Sequence, residues 1–160
     1  RLSVLANVTS NAIAAAYEER FGLTIPEWRV IAVLMRHPGL SAREVAEKSR
    51  MDAVAVSRAV NRLLRAGRLR RAVATDDRRR SILQVSAAGA AVYRGVAPLA
   101  LEFERSLLDS LTDEERAALD RLLGVLTQRA EVLSVDLRAP KPAARGPRAR
   151  RPQTRRDPAR

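Results

Sequence analysis

Between positions 53 and 62 the chain places Ala53, Ala55, Ser57, Arg58, Asn61 and Arg62 on one side of a single predicted helix, about Asp52 to Ala66. Val56, Val60, Leu63 and Leu64 fall on the other side and are expected to pack inward. None of the outer six is suited to covalent catalysis. They offer hydrogen bonds, cationic charge and small size. Asn carries a donor and an acceptor together, Arg a planar fork of donors, and Ser either role. The alanines let a broad, flat partner come close. A second cluster follows at Asp77, Arg78, Arg79 and Arg80, in a stretch without an apolar anchor. Asp77 is expected to brace an arginine through a charge-assisted hydrogen bond. Such a set matches base edges and phosphates of a duplex: alanine against a thymine methyl, Ser57 and Asn61 to bases, Arg58 or Arg62 to guanine or phosphate. Arg43, Lys48 and Arg50 lie just upstream, where they could hold backbone phosphates and place the helix without reading sequence. Aligned amides at the helix start would also favour a phosphate.

Other chemistries have little to work with. The chain has no cysteine and one histidine, His37, so thiol nucleophiles, disulfides and cysteine or multi-histidine metal sites are excluded. No nucleophile elbow or phosphate-binding glycine loop is present. No enzyme, metal or cofactor is expected. No 20-residue apolar run occurs, and the first residues read as an amphipathic helix rather than a signal peptide, so the expected location is cytoplasmic, without a membrane partner.

The formal net charge is +12, but its distribution matters more than its size. Positions 138–160 hold nine basic residues, one acid and recurrent prolines, and read as a disordered Arg/Pro-rich basic tail. Within the remainder, residues 43–80 hold twelve basic and five acidic side chains, whereas 102–136 are acid-rich. A positive middle lobe beside acidic terminal helices suits a DNA-facing part joined to a pairing part. The basic total alone would equally suit a nonspecific architectural DNA-binding protein or a protein-interaction module.

The elements that must position these residues follow from periodicity and caps. An apolar stripe through Leu2, Leu5, Val8, Ala12 and Ala16 predicts a helix over 2–20, stopped by Gly22. Thr24 and Glu27 form a capping-box pattern for a second helix with Trp28, Ile31, Ala32, Leu34 and Met35 on its inner side, ended by Pro38 and Gly39. Ser41 and Glu44 repeat the box before a short helix to Lys48, with a tight connection at 49–51. After the 52–66 helix, Gly67 supplies a cap. Alternation at 68–73 and again at 81–85 predicts a hairpin with an arginine-rich tip. Ser86 caps a long helix to about Ser110, with a bend expected at Pro98. Thr112 and Glu115 start the last helix, whose Leu119, Leu122, Leu126, Ala130, Leu133 and Leu137 nearly keep a heptad. So much apolar surface on terminal helices implies burial against a second subunit.

Short helix, tight turn, second helix and hairpin make a winged helix-turn-helix, whose second helix enters the major groove. An arginine at a hairpin tip can enter the minor groove. The expected fold is mainly α with a small β-hairpin wing, dimerised through N- and C-terminal helices. The regulator domain would span 1–137, with a DNA-binding lobe about 40–85 and dimerisation helices about 2–20 and 87–137.

Over roughly residues 2–137 the sequence also resembles the MarR family of bacterial winged-helix regulators. The likeness rests on Leu23–Thr24, Glu27–Trp28–Arg29–Val30, Glu44–Val45–Ala46 and the run Val56–Ser57–Arg58–Ala59–Val60–Asn61–Arg62–Leu63. It continues in Gly67 with its hairpin, Asp77–Arg78–Arg79, and Val85–Ser86–Ala87–Ala88–Gly89, where Val85–Ser86 replaces the family's Leu-Thr. The resemblance implies a triangular homodimer with intertwined first and last helices on a pseudo-palindromic operator, with Arg79 as wing arginine and Asp77 as its partner. It further implies a repressor released by a small aromatic or phenolic acid bound between the dimer and DNA lobes. Asn11, Tyr17, Trp28, Arg29 and His37 are the candidate contacts there.

Overall fold

The computed structural model describes residues 1–73 and 81–138. Chain order is α1 (Leu2–Phe21), α2 (Ile25–Arg36), α3 (Ala42–Ser49), α4 (Ala53–Arg65), β1 (Leu69–Val73), β2 (Ser81–Val85), α5 (Ala87–Leu108) and α6 (Asp113–Arg138). Residues 1–110 form one compact unit and residues from 111 onward a second.

Local chemistry sets the boundaries in the first unit. Ser41 Oγ accepts from the Glu44 amide at 3.3 Å while Glu44 Oε2 accepts from the Ser41 amide at 2.7 Å, so both halves of the expected box form. At α2 the glutamate does more of the capping. Glu27 Oε2 accepts from both the amide and the hydroxyl of Thr24, each at 2.8 Å, and Glu27 is buried. Gly67 ends α4 with φ +66°. Its amide donates to the Leu64 carbonyl and the Arg68 amide to that of Leu63, a Schellman closure that a glycine accommodates without steric cost. α5 continues as one helix through Pro98.

The core gathers one face of each helix in this unit. Tyr17, Val30, Ile31, Leu34, Val45, Val56, Val60, Leu63 and Val96 are all nearly or fully buried. The inner face of α2 is centred on Glu27, Val30, Ile31 and Leu34, turned from the expected Trp28–Met35 side, and Trp28 and Met35 sit at its partly buried edge. In α1 the inward positions are Ile13, Ala14, Tyr17 and Phe21. The Leu2–Leu5–Val8 end of its stripe stays open, at 60%, 50% and 60% exposure.

The hairpin pairs antiparallel from Leu69 opposite Val85 to Val73 opposite Ser81. Leu69 and Leu83 root it in the core. The Leu83 amide also donates to the Leu40 carbonyl at 2.8 Å, tying the wing to the α2–α3 link. At the wing's base, Ser86 Oγ accepts from the Gly89 amide at 3.1 Å and donates to the Gly67 carbonyl at 2.7 Å. Gly89 is needed there, because a Cβ would lie 2.2 Å from the Arg68 carbonyl oxygen and 2.9 Å from Val85.

The second unit is described by α6. Its start carries a complete box, the Thr112 amide to Glu115 at 2.8 Å and the Glu115 amide to Thr112 Oγ1 at 3.3 Å. Leu122, Val125, Leu126, Val132 and Leu133 on this helix are 44% to 56% exposed. Among the described residues, no helix is long and apolar enough to cross a membrane.

Candidate nucleic-acid interface

The α4 face follows from its hydrophobic spacing. Val56, Ala59, Val60 and Leu63 recur at helical intervals and are buried against α2, α3 and β1. That rotation forces the remaining positions outward. Ala53, Ser57, Arg58, Asn61 and Arg62 are exposed, and Ala55 is partly exposed. Arg58 and Arg62 form no ion pair among the described residues. The side chains read from the sequence as one surface are therefore brought together as one, with Val54, at 54% exposure, as its one large apolar side chain.

The upstream cations divide. Arg43 is engaged, its Nε donating to Glu47 Oε1 at 2.9 Å in an exposed pair that contributes little stability and is readily exchanged for another anion. Lys48 is exposed in the last turn of α3. Arg50 caps that helix in the left-handed region at φ 54°. The α3–α4 turn thus places a basic side chain where glycine is usual, a sparsely populated conformation for a residue with a Cβ.

The α4 N-terminus differs from the expectation of an open amide cluster. Asp52 Oδ2 already accepts from the Ala55 amide at 2.9 Å. A carboxylate there takes up one of the free amides at the helix end and sets a negative charge beside the others. Asp77, Arg78, Arg79 and Arg80 lie outside the described residues.

Residue 68 was not singled out by sequence reasoning, although it anchors the wing. Its guanidinium donates to the Phe21 carbonyl at 2.5 Å, at the end of α1. Its own carbonyl accepts from the Ser86 amide at 3.0 Å. Arg65, Arg70 and Arg71 lie close to it in sequence, and nothing in its type marks it as the one that turns inward.

Of the candidate small-molecule contacts, the fold clusters three. Trp28 lies between two tyrosines, 5.9 Å from Tyr17 and 5.7 Å from Tyr93 by ring centroid, the latter stacked. Arg29 is exposed beside them, donating to Ser10 Oγ at 3.2 Å. Burial pushes the Tyr17 phenol above its ordinary value of 10.0, while Arg29 pulls it down and Glu18 adds to the rise. Tyr17 is only 1% exposed and serves the core. Asn11 is exposed on α1. His37 caps the far end of α2, about 13 Å along the helix from Trp28 at 1.5 Å per residue, and does not join the ring cluster. Tyr93 was missed because it sits beside the Val92–Val96 stripe of α5 rather than on it. Among the described residues, no group of three or more His, Asp or Glu is placed to hold a metal ion.

A helix-turn-helix whose second helix shows a polar, cation-bearing face, followed by a two-stranded wing rooted in the same core, defines a winged-helix DNA-binding protein. Over residues 21–80 the chain matches the MarR family. It is 28% identical to the HTH-type transcriptional regulator BilQ of Clostridium symbiosum over 113 residues, covering 71% of this chain and 78% of that protein. Among solved structures it is similar to a MarR/EmrR family transcriptional regulator from Acinetobacter sp. ADP1. There the TM-score is 0.75 at 27% identity, covering 81% of this chain and 92% of the other. It is also similar to the PcaV transcriptional regulator from Streptomyces coelicolor in complex with its natural ligand, with TM-score 0.63, 26% identity and coverage of 79% and 91%.

Proposed function

We propose that two copies of this chain pair through α1 and α6 and read a pseudo-palindromic duplex as a repressor. The α4 face would lie in the major groove and Arg79, braced by Asp77, would enter the minor groove. The observation that carries this reading is α4 itself: Val56, Val60 and Leu63 hold it to the core while Ser57, Arg58, Asn61 and Arg62 stand free on the outside. A helix merely solvating its outer face would commonly pair its arginines with acids three or four positions away. Among the described residues Arg58 and Arg62 have no such partner. The exposed leucines and valines of α1 and α6 support pairing of copies, since patches of that kind mark interfaces. Residues about 40–85 would make the DNA lobe, and the basic segment 138–160 would add sequence-independent attraction.

The test is a titration at physiological salt of a duplex enriched from random sequence against a scrambled duplex of equal length. The enriched duplex should bind at least about a thousandfold more tightly. Equal affinities would leave a nonspecific, architectural protein. Arg79→Ala should weaken binding to both duplexes with the dimer intact, and wild-type affinity in that variant would remove the wing from the reading.

The ring cluster supports the effector half of the proposal. Trp28 and Tyr93 supply flat apolar faces, and Arg29 an exposed guanidinium able to take a carboxylate in place of the Ser10 hydroxyl. That PcaV was solved in complex with its natural ligand makes a small-molecule effector worth probing here. Millimolar benzoate should raise the Kd for the enriched duplex, and Arg29→Ala should abolish that shift without changing affinity in its absence. A Kd indifferent to benzoate and its hydroxylated analogues would reject an aromatic-acid effector.

A further inference from the structure

We infer that the C-terminal half of α4, walled by the first turn of α2, seats a DNA backbone phosphate beside the base-reading residues, with Arg65 as its principal contact. The inference rests on the duplex reading above and extends it. Arg58, Arg62 and Arg65 follow one another at spacings of four and three, which sets them in a single row along α4. All three are exposed. With Thr24 and Pro26 they line an open groove of about 530 Å³ between α4 and α2.

Three cations in a row repel one another, and among the described residues none of them has an acidic partner. The negative end of the α4 dipole favours Arg62 and Arg65, but it does not reach Arg58 in the middle of the helix. The Thr24 hydroxyl is committed to Glu27, so apart from the Asn61 amide the groove's free polar groups are cationic. Arg65 is also oriented: its Nε donates to the Asn61 carbonyl at 3.4 Å, which leaves the two terminal nitrogens of the fork without a partner among the described residues. A paired N–H edge of that kind fits a phosphate oxyanion. The open shape suits a polymer passing through the groove better than an enclosed small molecule. When the N-terminal residues of a recognition helix meet base edges, its C-terminal end points towards a backbone strand.

The experiment uses the full chain and measures anisotropy on enriched and scrambled duplexes of about 30 base pairs between roughly 50 and 200 mM KCl. Arg65→Gln should weaken both duplexes alike, roughly tenfold at the lowest salt, and lower the log–log salt slope by about one per subunit. Arg65→Lys should keep the wild-type slope. An unchanged slope in Arg65→Gln overturns the inference, and so does a loss confined to the enriched duplex, which would make Arg65 a base reader. If the wild type prefers the enriched duplex while Arg65→Gln is neutral, this inference fails alone. If the wild type binds neither duplex, the duplex reading fails with it.

Discussion

Glutamate at both Leu122 and Leu126 should convert the protein to a folded monomer and weaken binding to an enriched duplex by about a hundredfold or more. The size comes from the loss of a linked second half-site, which is worth about 10²–10⁴ in overall affinity without any change in the contacts of either lobe. Both leucines are exposed on α6, at 49% and 52%, so the charges meet water within one chain and leave its fold alone. Against a second copy the same charges would be buried without partners, which an interface does not tolerate. Sedimentation equilibrium gives the mass and a duplex titration gives the affinity. A dimer of unchanged stability would place the pairing surface elsewhere. A monomer with wild-type affinity would remove pairing from the mechanism.

Alanine at Gly89 should act on the fold instead. The added Cβ would stand 2.2 Å from the Arg68 carbonyl oxygen, and backbone cannot swing aside as a side chain does. The start of α5 or the strand entering the wing must shift, breaking the hydrogen bonds that Ser86 makes to Gly67 and Gly89. Overpacking of this kind costs about 1–3 kcal/mol, towards the upper end against backbone, and the helix preference of alanine over glycine, about 1 kcal/mol, does not offset it. A fall in Tm of about 10 °C is expected in a thermal melt. Because the displaced segment carries the wing, the surviving folded protein should also bind duplex more weakly. A Tm within about 2 °C of wild type would show that the joint relaxes without cost.

What the sequence made legible was local and repetitive. Ser41–Glu44 and Thr112–Glu115 announce helix starts because the box needs those two side chains three residues apart, and both boxes form. The outer face of α4 was readable because Val56, Val60 and Leu63 fix its rotation. What stayed hidden depends on residues distant in sequence. The Leu40–Leu83 bond, Arg68 reaching Phe21, and Tyr93 stacking on Trp28 join segments whose composition gives no hint of each other. Asp52 was hidden differently. Its place at the start of α4 was visible, but its capture of the Ala55 amide is a matter of side-chain geometry.

Alkaline pH offers a check on the packing beside the ring cluster. With the folded-state pKa of Tyr17 raised, its contribution to stability is intact below its ordinary value of 10.0 and is lost as pH rises towards the folded value. Stability measured by denaturant should therefore fall above about pH 10, and Tyr17→Phe should lessen that fall. An equally steep decline in the phenylalanine variant would assign it to other groups.

The claim on which the account stands is that side chains 53–62, offered twice by a pair of chains, choose a DNA sequence. Selection of bound duplexes from a fully random pool, run in parallel with wild type and Asn61→Ala, addresses it directly. Wild type should enrich an inverted repeat with half-sites about 10 base pairs apart, centre to centre, or a multiple of that spacing. The Asn61→Ala pool should keep the repeat and lose preference at a base position within each half-site. A pool that stays random with wild type, or one identical for the two proteins, would contradict base reading by this surface.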